Sequence, residues 1–202
     1  MTTIELDTSF EASLAKRLRA TTNERHDRLD HVIMDASPFA NRERYGRFVR
    51  VQHQFHREID ALYFNPELDR LLPDLAGRRR FVLIEQDLRD LGVDAPIARS
   101  APAFSNTAEV DLPTTLGWLY VAEGSNLGAA FLLKEAAKLG LDESFGARHL
   151  AAAQEGRGLH WKTFTAALDS IDLNETEEER VIDGARAAFA RVQELVNEIL
   201  AA

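Results

Sequence analysis

The chain contains no cysteine. Disulfide frameworks, thiolate nucleophiles, iron–sulfur clusters and zinc ribbons are therefore excluded together, and any metal must be held by His, Asp or Glu. The opening residues, Met1 to Asp7, are acidic and polar and lack the positive and apolar regions of an export signal. The longest apolar stretch, Leu127 to Leu133, falls far short of the roughly 20 residues that span a bilayer. These absences predict a cytoplasmic chain without a membrane partner. No internal repeat, low-complexity tract or Pro/Gly-rich linker divides the 202 residues, so one domain over 1–202 is expected, with a short flexible N-terminus at about 1–8.

Positive charge is also scarce. Lys plus Arg number 24 against 33 Asp plus Glu, a net charge of −9 that argues against a nucleic-acid binder. What positive charge exists is concentrated early, in Lys16, Arg17, Arg19, Arg25 and Arg28, then in Arg42, Arg44, Arg47 and Arg50. Such runs read as solvated helix faces, or as a basic face for an acidic ligand or redox partner.

Alternating strand patterns are missing, and the periodicity is helical nearly throughout, so the fold class is all-α. Thr8 and Glu11 fit a capping box before a helix running to about Asp35. Tyr45, Phe48, Gln52, Phe55, Ile59 and Leu62 recur at three or four, predicting one helix from Asn41 to about Phe64 with a single buried stripe. Asn65-Pro66 ends it, residues Glu67 to Leu72 read as a turn, and a third long helix is expected from about Asp74 to Leu91. A loop covers Val93 to Val110. Helix resumes at Leu112 and runs to Leu139-Gly140, followed by helices at about Arg157 to Ile171 and Asn174 to Leu200, the last opened by an Asn174/Glu177 capping box.

Common catalytic signatures are lacking too. None of the six histidines has Glu three residues before it, so the Glu-x-x-His of di-iron bundles is missing, as are His-Glu-x-x-His, the phosphate loop and the Gly-x-Ser-x-Gly elbow. Two features stand out instead. Gly124 and Gly128 lie on one face of a helix, each costing about 1 kcal/mol relative to alanine, so something comes close there: another helix, or a flat ligand. His26 has Asp30 one turn on, a spacing that lets a carboxylate orient an imidazole and make its other nitrogen a better metal ligand.

Four segments carry a wider likeness: Thr22 to His26, Gly117 to Phe131, Phe145 to Leu150 and His160 to Phe164. In order, they resemble the signature segments of bacterial haem oxygenases, over about Leu14 to Leu195. The resemblance implies a single-domain helical bundle in which a kinked, glycine-containing distal helix covers one haem face. It places His26 as the proximal iron ligand, with Asp30 one methylene shorter than the family's usual Glu partner and therefore calling for a bridging water. Gly124, Ser125 and Gly128 match the distal wall, where small residues leave O2 room beside a meso carbon. Gln52 and His56 match residues that support a distal water network, and Arg148, His149 and Trp161 match its outer members. Arg19 and Tyr120 match positions touching a haem propionate and lean toward α-meso cleavage, and Phe189 falls among the haem-binding positions. Mammalian relatives carry Asp in the glycine motif where this chain has Ser125, so proton delivery here must depend on waters held by other groups.

The function implied is a haem oxygenase, using haem as substrate and cofactor with O2 to make biliverdin, CO and ferrous iron, for iron acquisition or bilin supply. No flavin or NAD motif is present, so a ferredoxin or flavin reductase must act as external electron donor, with a bilin acceptor as a further partner and a monomer as the expected state. Two other readings fit the same residues: a non-catalytic haem carrier or sensor, and a helical protein of thiaminase-like architecture whose glycines only pack helices.

Overall fold

Start signals in the sequence become caps in space. The computed structural model describes residues 13–98, 100–105 and 109–200, and these form an all-α bundle. Helix α1 is Leu14–Asp35, α2 Arg42–Ile59, α3 Pro66–Leu71, α4 Phe81–Asp90, α5 Leu112–Ala137, α6 Arg157–Asp169 and α7 Glu175–Leu200. The Asn41 side chain accepts from Arg44 N at 2.9 Å and opens α2. The Asp111 side chain accepts from Thr114 N at 3.1 Å, and α5 begins on it with proline in its first turn. At α7 the expected box is complete: Glu177 N donates to Asn174 Oδ1 at 3.0 Å and Asn174 N to Glu177 Oε2 at 2.9 Å. The Thr8/Glu11 box and the N-terminal segment lie outside the described residues. No described helix is long and apolar enough to cross a membrane.

Three expectations are corrected. The α-helix of α2 stops at Ile59, and Asp60–Phe64 tighten into a 3-10 turn. The expected turn after Asn65 is helix α3: Asn65 Oδ1 accepts from Glu67 N and Leu68 N, and Pro66 takes the position where a missing N–H does no harm. The expected helix from Asp74 shrinks to α4, because Asp74 has φ +52°, a left-handed conformation that no helix continues, and only the 3-10 turn Ala76–Arg78 precedes Arg80.

Helix α5 organises the bundle. Every residue from Thr115 to Glu123 is buried, so this half is apolar on all sides and core throughout. Its heaviest contact is with α7, and glycines make that contact possible. A Cβ on Gly117 would sit 2.1 Å from Val181 O and 2.5 Å from Ala185 N, and one on Gly184 would sit 2.3 Å from Thr114 O. The two backbones therefore touch reciprocally. Helix α1 packs on α7 and α6, while α2 packs on α7 and α4. A larger apolar core joins α1, α2, α5, α6 and α7. A smaller one, built on Tyr45, Phe48, Ile84, Leu88, Ala129 and Leu150, lies between α2, α4 and the far half of α5.

The glycines of α5 thus separate into two kinds, with opposite expected effects. Gly117→Ala should destabilise by about 1–3 kcal/mol through overpacking, whereas Gly128→Ala, which meets nothing within 4 Å, should stabilise by up to about 1 kcal/mol through helix propensity. Thermal unfolding followed by circular dichroism should move the two midpoints in opposite directions by about 2–4 °C per kcal/mol; equal shifts would contradict this geometry.

Candidate functional site

Helix α1 presents one buried stripe, Leu14, Leu18, Thr22 and Leu29, and leaves the rest of its surface open. His26 lies off that stripe with a side chain 55% exposed. Its ring meets Phe189 of α7 edge to face, centroids 6.1 Å apart at 78°. Its Nδ1 is 3.5 Å from Asp30 Oδ2 and 3.7 Å from Asp27 Oδ1, ion-pair distances rather than direct hydrogen bonds. With both carboxylates on the Nδ1 side, a proton there is favoured and Nε2 keeps its lone pair. Asp27 is a second partner that the i, i+4 spacing did not single out. Arg19 is exposed on the same helix, and its charge opposes the rise that burial imposes on the Tyr120 phenol pKa.

On α5 the wall changes character at Gly124. A Cβ at Gly124 would meet only the Trp161 ring, at 3.5 Å, and one at Gly128 would meet open space. Leu127 and Phe131 beside them are 47% and 53% exposed. Helix packing therefore does not account for these two glycines; Gly117 is the packing glycine of this helix. Trp161 supports the wall from behind, with centroids 5.3 Å from Tyr120 and stacked at 5.8 Å on Phe164. The surface left is a notch of small residues flanked by apolar side chains, suited to a flat apolar ring.

Beneath it lies a cavity of about 40 Å³ lined by Phe48, Gln52, His56, Arg80, Ser125, Asn126, Ala129, Leu132, His149 and Leu150. Four of the residues singled out in the sequence, Gln52, His56, Ser125 and His149, thus meet at one place. Two imidazole nitrogens, His56 Nδ1 and His149 Nε2, are buried without a protein hydrogen-bond partner. Polar lining and unsatisfied donors or acceptors are what ordered water requires, and the volume holds a few molecules. Arg148 and Trp161 do not line the cavity. The Arg148 guanidinium turns to Asp87 and Asp90 instead.

Several residues at the site were not legible as such. Arg78, Arg79 and Arg80 read as a charged run, yet each guanidinium goes its own way. Arg79 pairs with Asp60 at 2.6 Å, and Arg80 donates to the carbonyls of Ala151 at 3.0 Å and His149 at 3.4 Å. Arg78 crosses to Glu123 of α5 at 3.0 Å with both side chains almost fully buried. Tyr63 Oη donates to the same carboxylate at 3.3 Å, and His160 Nε2 lies 3.5 Å from it. The Glu123 carboxylate, with Glu155 on the other ring nitrogen at 2.7 Å, raises the His160 pKa against burial. One signal could have found this network: Glu123 is a lone charge that directly follows the apolar run Leu119 to Ala122, and a buried charge needs a partner.

With this geometry in view, the comparisons with known proteins agree. The family described as haem oxygenase matches residues 12–198. Haem oxygenase PigA of Pseudomonas aeruginosa is 43% identical over 201 residues, covering 100% of both chains. A haem oxygenase of Xanthomonas campestris is 29% identical over 148 residues, 71% of this chain and 84% of that one. Among solved structures, the NO- and CO-bound haem oxygenase of Neisseria meningitidis superposes with a TM-score of 0.87 at 39% identity, over 94% of this chain and 92% of the other. The enzyme of the cyanobacterium Synechocystis, at 17% identity and a TM-score of 0.72 over 93% and 92% of the two chains, shares the fold.

The cavity also sets a pH response. Burial, reinforced by the positive charge of Arg80, holds the His56 pKa down to about 3 from its usual 6.5. Between these values the unfolded chain binds a proton that the folded chain refuses, so stability falls as pH drops, by about 2 kcal/mol at pH 5 from this group alone. His160 has the opposite sign, contributing stability below its usual pKa and losing it as pH rises through the raised value. Urea unfolding of His56→Gln between pH 6.5 and 5 should show a pH slope shallower than the unsubstituted protein by an amount approaching one proton; an unchanged slope would place His56 in contact with solvent.

Proposed function

Since this chain belongs to the haem oxygenase family, and is accordingly an oxidoreductase that opens haem, we propose the division of labour among its residues. Haem is the substrate, O2 the oxidant, and biliverdin, CO and ferrous iron the products. Bound haem supplies the iron that takes up electrons and O2 together with the ring that is oxidised. The protein supplies what surrounds it. His26 Nε2 would hold the haem iron, with Asp30 and Asp27 on the Nδ1 side of the ring. Gly124 and Gly128, beside the exposed Leu127 and Phe131, form the wall against the opposite face of the ring. Phe189, edge-on to His26, limits tilting of the imidazole. Arg19 and Tyr120 hold a propionate, which needs a cation once the ring is buried, and their position favours α-meso opening.

The observation that carries catalysis beyond binding is the polar cavity under the glycine wall. A carrier needs the imidazole, the apolar wall and the cation, but not a water-sized chamber with two unpartnered imidazole nitrogens. Gln52, His56 and His149 hold waters there, and Ser125 and Asn126 open the chamber toward the wall. His56 is a neutral member, since burial keeps it from ionising near pH 7. Arg148 and Trp161 act from outside the chamber, one bracing the His149 segment and the other backing Gly124.

Electrons come from a separate donor, a ferredoxin or flavin reductase. Lys16, Arg19 and Arg25 are exposed along α1 and offer an acidic donor a landing surface near His26, whereas Arg17 is occupied by Glu178.

The test is turnover. Protein mixed with hemin, an electron donor and O2 should yield biliverdin absorbance and CO, and chromatography of the bilin should give the α isomer. Ring-intact oxy-haem that survives added reductant would instead identify a carrier. His26→Ala should keep part of its haem affinity, through the propionate contacts and apolar wall, and lose turnover by at least about 100-fold; undiminished activity would remove His26 from the role of ligand.

A further inference from the structure

We propose that Asp87 is a positioning residue that fixes the His149 imidazole with its Nδ1 proton turned into the protein and a bare Nε2 turned to the cavity beside α5. The proposal rests on the reading above, in which the cavity waters bring protons toward the site.

Asp87 is fully buried in α4 and receives four N–H donors from one short segment. The backbone N–H of Arg148 and the Arg148 guanidinium reach Oδ1 at 3.0 and 3.3 Å. The backbone N–H of His149 and its Nδ1 reach Oδ2 at 3.0 and 2.7 Å. Three of these donors, the two backbone N–H groups and the guanidinium, can only donate, and their convergence on both oxygens, one of them a cation, favours the ionised carboxylate. Burial works against that ionisation, but the hydrogen bonds from His149 and Arg148 hold the Asp87 pKa below its usual value. An ionised Oδ2 has no proton to give, so the 2.7 Å contact requires the hydrogen to lie on Nδ1. With Nδ1 protonated, the neutral ring carries its lone pair on Nε2, and that nitrogen is buried with no protein acceptor for an N–H.

The ring cannot swing away. Arg80 ties the His149 and Ala151 carbonyls from one side while Asp87 holds the amides from the other, and the Phe48 ring lies 6.5 Å from the imidazole. The charged and titratable groups around it are Asp87 and Arg148 behind, Arg80 beside it, and neutral His56 across the cavity; the α5 wall contributes only the uncharged Ser125 and Asn126. Nε2 is therefore an acceptor of fixed direction at the inner end of the chamber. It orients a cavity water by accepting its hydrogen. It also holds a proton arriving through the water chain, an N–H bond forming at Nε2 and breaking when the proton returns to the same waters. Nδ1–H stays on Asp87 throughout and no electrons move. A carboxylate needed only to cap the 3-10 turn Arg148–Leu150 would use the backbone amides; the additional bond to Nδ1 is what selects the tautomer.

Asp87→Asn tests this with two readouts. The amide keeps one acceptor oxygen but turns an N–H toward one of the two sets of donors, which releases or inverts the imidazole. In protein labelled with 15N-histidine, without haem, the wild-type His149 should show an unprotonated Nε2, and the variant should show that state lost or moved to Nδ1. Haem affinity should change less than about two-fold, while biliverdin formation should slow by about 10–100-fold, with a larger solvent deuterium isotope effect. A protonated Nε2 in the wild type, or a variant with an altered tautomer and an unchanged rate and isotope effect, would overturn the proposal. If Asp87→Asn does not fold, His149→Gln takes its place: it keeps a side-chain donor but has no bare ring nitrogen, so it should show the same slowing, and a wild-type rate would overturn the proposal equally. A wild type that makes no biliverdin at all fails the parent reading instead, while the tautomer measurement still decides the role of Asp87.

Discussion

A single carboxylate sealed inside the bundle decides where α5 ceases to be core. Glu123 is the last residue of the continuously buried half of that helix, and Arg78, Tyr63 and His160 converge on its carboxylate. A buried ion pair of this kind contributes little net stability compared with a well-packed apolar alternative, but removing one partner leaves an uncompensated charge and costs about 3–5 kcal/mol. Its effect is positional. The helix cannot slide or rotate without pulling the carboxylate out of its cage, so the next residue, Gly124, is held against the Trp161 ring, and Ser125 and Asn126 are held over the cavity. The close backbone contact between Gly117 and Gly184 secures the same helix two turns earlier. The notch at Gly124 is thus held in place by residues packed behind it.

Helix α2 divides the other way, by face rather than by length. Phe48, Gln52 and His56 recur every four residues and line the small polar cavity. Arg47, Arg50, Gln54 and Arg57 point in the opposite direction, to a separate cleft of about 500 Å³ shared with Arg191 and Leu195 of α7 and with Pro96 and Ile97. One amphipathic helix therefore separates the small polar chamber from a cleft that gathers Arg47, Arg50, Arg57 and Arg191 together with Glu58 and Glu198. The low His56 pKa follows from burial in that chamber, with nearby positive charge as the secondary influence.

Much of this was readable because it depends on local periodicity. The stripe Tyr45 to Leu62, the Asn174/Glu177 box and the extents of α5 and α7 are short-range patterns, and the folded chain obeys them. The errors occurred where a distant group overrode the local one. Residues 74–80 looked helical, but Arg78 and Arg80 are drawn inward to Glu123 and to the carbonyls around His149, and the backbone turns to deliver them. Asp87 gave no signal at all, since its partners lie 61 and 62 residues away and only the fold brings them together. At Gly124 and Gly128 the sequence offered two explanations, neighbouring helix or ligand; Gly124 meets the Trp161 ring of α6, whereas Gly128 meets no other helix among the described residues.

The open space at Gly128 bears on how such chains diverge. Gly117 and Gly184 are retained by folding itself, because any larger residue collides with a backbone, whether or not the protein does anything useful. Gly128 has no such guardian: nothing in the folded chain resists a methyl group there. On the proposed role of the notch, a descendant released from that chemistry would be free to fill position 128 while packing kept the interhelical glycines fixed.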